Sequence, residues 1–219
     1  MRSYITGLEC PKCKKKHDFR KLTNLCECGS PLLVRYDLDA LSREVKPSDW
    51  QKRPEGLWRY RELLPVLDEK NIVSLGEGGT PVFPLEEMGK KYGLNKLLVK
   101  DEGMNPTGTF KARGASVGVS KAKELGAQTI AMPTAGNAGA AWAAYSARAG
   151  IKMIVAMPED APATTQAECV AYGADTYLVD GLISDAGRYV RQGVAKHGWF
   201  EAATLKEPYR IEGKKTMGL

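Results

Sequence analysis

The chain has 219 residues, 43% of them hydrophobic, with a net charge of +6 and a pI near 9.0. That length supports one or two domains with a buried core. There is no apolar run of about 18 residues to cross a membrane, and the opening MRSYITGLEC lacks the apolar segment of a secretory signal. Lys and Arg are spread along the chain, so dedicated nucleic-acid binding is not expected. A modest positive excess suits an enzyme for anionic substrates.

Residues 1–36 read as a separate unit. Cys10-Pro-Lys-Cys13 is followed after twelve residues by Cys26-Glu-Cys28-Gly29. Two close Cys pairs at this distance match the two knuckles of a zinc ribbon, with four thiolates in a tetrahedron and Gly29 allowing the second turn. Zinc on Cys10, Cys13, Cys26 and Cys28 is expected, in a structural role, because so small a unit needs a staple. His17 between the pairs reads as a surface residue. Residues 37–70 read as a linker, with three prolines, many charges and a short helix at LSREV. Trp50 and Trp58 are expected to pin it to the main body.

The segment from Ser74 to Pro81 is a Gly-rich loop, and Thr80 at its end offers a hydroxyl to an anion. It is not a dinucleotide fingerprint, since Pro81 stands where a glycine is required. A helix is expected over 84–93, then a strand at Leu97-Leu98-Val99. The stretch Asp101–Gly114, DEGMNPTGTFKARG, turns through Asn105, Pro106 and Gly108 and ends with Lys111 opening a helix over 111–125. It is not a nucleotide-binding P-loop, because Thr109 and Phe110 follow Gly108 where Lys and Ser or Thr belong.

From residue 127 onward, strand and helix alternate. Strands are expected at 129–132, 152–157 and 175–179, and helices at 138–149, 163–172 and 184–197. Short strands joined by helices imply right-handed crossovers and a parallel sheet, with ligands at the strand C-terminal ends. The corners at 105–111 and 133–139 are both read as such ends. Cys169 on a helix reads as a small core residue, and His197 as a helix-end residue.

The two corners have complementary chemistry. Phe110 is expected to cover Lys111 and lower its pKa by desolvation. A lysine so placed can form a Schiff base with an aldehyde cofactor, of which pyridoxal phosphate is the usual one. Asn137 can donate to that cofactor's ring hydroxyl. The backbone around Thr134–Ala138, at a helix N-terminus, can hold a substrate carboxylate.

Asn105-Pro-Thr-Gly-Thr-Phe-Lys-Ala-Arg-Gly114 resembles the lysine motif of fold-type II pyridoxal-phosphate enzymes. Pro133-Thr-Ala-Gly-Asn-Ala-Gly139 resembles their asparagine loop. The order of Cys ribbon, Gly-Glu-Gly-Gly-Thr-Pro, lysine motif and asparagine loop is similar to the threonine synthase family, over essentially the whole chain. The resemblance implies an α/β fold-type II enzyme preceded by a zinc ribbon, with residues 71–219 catalytic and about 115–200 its smaller α/β subdomain. Lys111 would be the Schiff-base lysine, Phe110 would lie beside the ring and Asn137 on its hydroxyl. Thr134, Ala135, Gly136, Asn137 and Ala138 would hold the carboxylate, and Thr80 would touch substrate. The implied reaction is O-phospho-L-homoserine plus water to L-threonine and phosphate, in the cytoplasm. The expected partner is a small amino-acid substrate, without nucleic acid or membrane, and a homodimer is open to the full-length protein.

Ala112, where many threonine synthases carry Asp, and Ala135 and Ala138 in the asparagine loop depart from the family pattern. Serine/threonine dehydratases, which share the lysine motif but are not expected to carry the Cys ribbon, and cysteate synthase, a close relative, stand as alternatives. A non-catalytic ribbon binding a macromolecule through Lys12–Lys16 is the rival of another class. The family's Gly-rich phosphate loop and its Ser or Thr at the pyridine nitrogen lie well after the asparagine loop, and nothing after Asn137 supplies them. The chain is therefore expected to be a fragment that binds cofactor poorly and is inactive alone.

Overall fold

The computed structural model describes residues 2–219. The chain opens with a small antiparallel sheet of β1 (Ile5–Glu9), β2 (Lys16–His17) and β3 (Leu33–Tyr36), in the order β2-β1-β3. Ile5, Leu8 and Val34 turn inward and join Phe19 and Leu32. A unit this small buries too little apolar surface to stand alone. Its core runs on into that of the main body, through Ala112, Ala115, Val119, Ile130 and Val155.

The segment 37–70 is folded onto the body. Helix α1 (Leu38–Glu44) covers the region of the expected LSREV helix and is capped by Asp37, whose carboxylate accepts from the Ala40 N–H at 2.8 Å. Helix α2 (Pro47–Gln51) begins on proline, which needs no N–H partner there. A 3₁₀ turn follows at Leu57–Leu63. Buried Glu62 gathers this segment, accepting from Arg53 at 2.7 and 2.8 Å and from Trp50 Nε1 at 3.1 Å. Trp58 reaches the main body, donating to Glu77 and to Ser116 at 3.0 Å each. Trp58 is the anchor to the main body that its sequence setting suggests, whereas Trp50 packs within the segment, on Tyr60 and Glu62 and beside Tyr4, Ala40 and Leu41.

The Gly-rich loop is packed inward by Glu77. This carboxylate is 1% exposed and, among the described residues, is paired with no cation. Donors replace one: Tyr145 OH at 2.6 Å, Ser116 Oγ at 2.6 Å, the Trp58 indole at 3.0 Å and the Leu75 N–H at 3.0 Å. Gly78 allows the close approach, because a Cβ there would lie 2.4 Å from the Leu57 nitrogen. Glu77→Ala leaves Tyr145 OH buried without its acceptor. It is expected to lower unfolding free energy by about 2–4 kcal/mol in urea, with Glu77→Gln milder. Equal stability of Glu77→Ala and wild type would contradict this role.

Strands β4 (Val82–Pro84) and β5 (Leu98–Lys100) pair antiparallel around helix α3 (Glu86–Lys91). This corrects one expectation: the strand before the lysine corner does not belong to the parallel sheet. Its hydrogen bonds go to β4, and Val82, Phe83, Leu98 and Val99 are all exposed.

The remainder is α4 (Lys111–Glu124), β6 (Thr129–Pro133), α5 (Ala138–Ala149), β7 (Lys152–Pro158), α6 (Ala163–Ala171), β8 (Asp175–Val179), α7 (Ile183–His197), β9 (Phe200–Glu201) and α8 (Arg210–Lys215). The four strands form a parallel sheet in the order β8-β7-β6-β9. The apolar runs of β6 and β7 are covered on both faces, as a parallel sheet requires. Ala131, Ile154 and Ala156 meet Ala186 and Val190 of α7. Ile130, Met132, Met153, Val155 and Met157 share the larger core with α4 and α5. Helices α4 and α5 cross closely because Gly118 leaves room for Trp142, whose ring would lie 2.3 Å from a Cβ at that position. The turn at Pro106–Gly108, just before α4, also lies against α5.

Candidate active site

The lysine corner is held by one carboxylate. From β5 the chain makes 3₁₀ turns at Glu102–Met104 and Pro106–Gly108 before α4. Glu102 receives Arg113 through Nε at 2.7 Å and Nη2 at 2.7 Å, a bidentate pair. It also receives the Thr80 hydroxyl at 2.6 Å and Asn105 Nδ2 at 2.8 Å. Asn105 Oδ1 in turn accepts from the Gly78 N–H at 3.0 Å, tying the Gly-rich loop to the corner. Arg113 also donates to Thr80 Oγ1 and Thr216 Oγ1, both at 3.1 Å. Thr80 is therefore buried in this network, its hydroxyl engaged by Glu102 and Arg113.

Thr107 and Gly108 both take left-handed backbone, at φ +63° and +67°. For threonine this conformation is strained, and strain of this kind gathers at functional turns. The turn delivers Lys111 to the first position of α4, where its N–H donates to Thr109 Oγ1 at 3.2 Å. Lys111 Nζ lies 4.7 Å from the centre of the Phe110 ring. Among the described residues it has no carboxylate partner.

Burial works against the charge of Glu102, but Arg113 and Thr80 outweigh it and hold its pKa below the ordinary 4.5. A carboxylate depressed on folding stabilises the fold above its unfolded pKa, and that contribution is lost as pH falls through the folded value. Below the ordinary glutamate value the wild-type chain is therefore expected to lose stability that Glu102→Gln does not have. Urea unfolding of both across pH 2–6 measures the difference, and superimposable acid limbs would contradict the assignment.

The second corner joins β6 to α5. Helix α5 packs against the Pro106–Gly108 turn and along α4, so the Lys111 and Asn137 corners are neighbours. Thr134 Oγ1 donates to the Gly136 carbonyl at 3.0 Å and accepts from its N–H at 3.3 Å, closing the turn. Among the described residues, the backbone N–H groups of Ala135, Asn137 and Ala138 donate to no protein acceptor. They are open to an anion at the N-terminus of a twelve-residue helix. Asn137 is exposed and its side-chain amide has no protein partner among the described residues. An unpaired amine, an unpaired amide and open backbone donors on adjoining corners fit the ring end of an aldehyde cofactor and a substrate carboxylate.

The Cys cluster lies apart, on the antiparallel sheet. The sulfurs of Cys10, Cys13, Cys26 and Cys28 all lie within 4.8 Å of one another, with Cys10–Cys28 at 3.6 Å and Cys13–Cys26 at 3.5 Å. Tetrahedral zinc with bonds of about 2.3 Å needs sulfur–sulfur edges of about 3.8 Å. The N–H of Cys13 draws the Cys10 thiol down to about 6. Cys26 is pushed up to about 12, because burial and neighbouring thiols outweigh the N–H of Cys28. Four sulfurs from two Cys pairs, gathered at nearly the spacing of a tetrahedron's edges, are a donor set that fits a metal. His17 differs from its expected surface position: it is half-buried in β2, and among the described residues its Nε2 has no hydrogen-bond partner. Cys169 is fully buried and its thiol is pushed up to about 11 by burial, which suits an inert core residue. His197 stacks on Trp199 at 5.5 Å in the last turn of α7.

Reading the sequence alone missed Glu102, Asn105 and Arg113 as the corner's frame, although all three lie in the stretch that drew attention. Lys214 and Arg210, on α8, were also missed. No spacing rule pairs an acid and a base eleven residues apart across two turns.

Residues 73–219 match the family described as Pyridoxal-phosphate dependent enzyme. The chain is 43% identical over 209 residues to a threonine synthase of Methanocaldococcus jannaschii, covering 95% of this chain and 51% of that protein. It is 37% identical to the threonine synthase of Methanosarcina acetivorans, covering 96% and 51% respectively. The chain thus spans about half the length of these relatives. Maize serine racemase superposes with a TM-score of 0.58 at 26% identity, over 63% of this chain and 42% of that one. Escherichia coli diaminopropionate ammonia lyase, solved with D-serine, covers 99% of this chain and 53% of its own at TM-score 0.61 and 18% identity, a likeness of fold. On this evidence of fold, corner and sequence, the chain belongs to the pyridoxal-phosphate dependent enzyme family.

Proposed function

We propose that this chain carries the lysine side of a threonine synthase, which converts O-phospho-L-homoserine and water to L-threonine and phosphate. The observation that carries the reading is the packing of the Lys111 corner against the Asn137 corner, supported by the 43% identity to the Methanocaldococcus jannaschii enzyme. Pyridoxal phosphate, when bound, supplies an aldehyde for an amine and a ring that accepts electrons. Lys111 would hold that aldehyde, Phe110 would pack beside the ring, and the Asn137 amide would donate to the ring hydroxyl. The open N–H groups of Ala135, Asn137 and Ala138, on the turn that Thr134 and Gly136 close, hold the substrate carboxylate. Lys111, with its amine free, would take one proton from substrate Cα and one from Cβ as phosphate leaves Cγ; a proton then goes to Cγ to complete the methyl group, the hydroxyl of water adds at Cβ and a proton returns to Cα, so one water is consumed and one phosphate released. Thr80 acts through Arg113, which its hydroxyl helps to hold.

In this reading residues 1–36 are a ribbon with structural zinc on Cys10, Cys13, Cys26 and Cys28. Residues 37–70 bridge it to the catalytic part at 71–219. Reduced thiols serving a metal suit the cytoplasm. The partners are an amino-acid substrate and, in a longer chain, a second copy. The test joins this chain to the unmatched part of the Methanocaldococcus jannaschii relative and analyses products. Threonine and phosphate from O-phosphohomoserine support the reading. A 2-oxo acid from serine or threonine, with O-phosphohomoserine untouched, would replace it with a dehydratase.

A further inference from the structure

Phe110 carries two ammonium groups. Lys111 Nζ lies 4.7 Å and Lys214 Nζ 5.3 Å from the centre of its ring. Among the described residues, neither amine has a hydrogen-bond acceptor or a carboxylate in ion-pair range. Attraction to an aromatic face does not neutralise either one.

Lys214 is brought there by construction. Its helix α8 lies against α4 with almost no space between the backbones: a Cβ at Gly213 would come 2.0 Å from the Arg113 carbonyl oxygen, and one at Gly114 would come 3.1 Å from that of Arg210. Arg210 opens the same helix and adds a third cation. Its Nε is paired with Glu207 at 2.7 Å, its Nη1 with Thr204 at 3.1 Å and its guanidinium lies 5.1 Å from the centre of the Trp142 ring, while among the described residues Nη2 is buried without a hydrogen-bond partner. The Lys214 amine is pushed down by burial, and then by Lys111 and Arg210, against Glu207. Like charges gathered without enough counter-charge form an arrangement that an anion stabilises. When Lys111 is engaged by the cofactor aldehyde, Lys214 is the charge that remains beside Phe110.

We propose that Lys214 is a binding residue for a phosphate-monoester dianion in a subsite beside Phe110 and Lys111. Two compact ammonium groups suit a doubly charged phosphate better than a single carboxylate. The assignment rests on the function proposed above, where the phosphate belongs to either the substrate or the cofactor.

The test is calorimetric titration of the 219-residue chain with inorganic phosphate at fixed ionic strength. Lys214→Gln is expected to bind about tenfold more weakly, Lys214→Arg to regain most of the loss, and Lys91→Gln, on exposed α3, to match wild type. Thermal unfolding of each variant separates lost binding from lost folding. Equal phosphate affinity in wild type and Lys214→Gln overturns the proposal, as does an equal loss in Lys91→Gln. Borohydride trapping with pyridoxal 5′-phosphate and with pyridoxal then identifies the source. If Lys214→Gln weakens only the former, the phosphate is the cofactor's; if neither changes while inorganic phosphate binding drops, it is the substrate's. Equal weakening of both would assign Lys214 to the ring or to Lys111 and overturn the phosphate role. Phosphate binding by this chain does not depend on turnover, so failure of the joined enzyme to make threonine sinks the function and not this subsite.

Discussion

Replacing Lys111 with alanine is expected to abolish the visible absorbance that develops when the chain is mixed with excess pyridoxal 5′-phosphate. Lys111→Arg should do the same, because it keeps the charge but offers no amine that can bond to the aldehyde. Lys111 stands at the first position of α4, so its substitution leaves the helix hydrogen bonds in place. Its neighbours are held separately, since Arg113, Glu102, Thr80 and Asn105 form their own network. A folded variant without absorbance is therefore the expected product. In the joined enzyme, turnover should fall at least about 10³-fold, the range for losing a positioned acid–base group. If Lys111→Ala keeps its absorbance and the wild-type rate, another lysine holds the cofactor.

Removing the metal is expected to have the largest effect on the fold. We expect one zinc per chain by mass spectrometry, and none in Cys10→Ser. Structural zinc sites of this type contribute about 10–16 kcal/mol of apparent binding free energy in small units. The ribbon here is not an appendage whose loss would leave the rest intact. Phe19 lies under the buried Lys121 amine of α4 at 5.3 Å, and Lys121 pairs with Glu124 at 2.6 Å. Asn24 donates to the carbonyls of Glu201 and Lys206 at 2.7 Å each, and Tyr36 OH to Glu212 at 2.7 Å. These contacts reach α4, β9 and α8. Chelation or Cys10→Ser should lower unfolding free energy by about 3 kcal/mol or more, and should speed amide exchange in α4 and α8 as well as in the ribbon. Metal-stripped protein with unchanged exchange in α4 would show that the ribbon is energetically separate.

The main α/β body was legible because its signals are local. Strands β6 and β7 are continuous apolar runs, and the helices that follow them close at Gly150 and Gly173, each in left-handed backbone. The two corners were legible for the same reason, since Pro, Gly and Asn mark turns whatever surrounds them. Sheet membership was not. The strand before Lys111 reads like β6, but its partner is fixed by the Val82–Lys100 and Pro84–Leu98 register, which no local pattern announces. The segment 37–70 looked like a linker from its charges and prolines. Its order comes from Glu62, Trp50 and Trp58, whose partners are set by the fold. Thr80 looked free to meet an anion until the structure turned it toward Glu102. Lys214 had no signal at all, because its meaning depends on a ring 104 residues earlier in the chain.

The central claim is that the amine at Lys111 is the one that holds pyridoxal phosphate. The most direct measurement is to mix the chain with the cofactor, reduce with borohydride, digest, and map the modified residue by mass spectrometry. The account predicts a single dominant label on Lys111, absent from Lys111→Ala. A label spread evenly over exposed lysines, or one centred on Lys214 with Lys111 untouched, would contradict it.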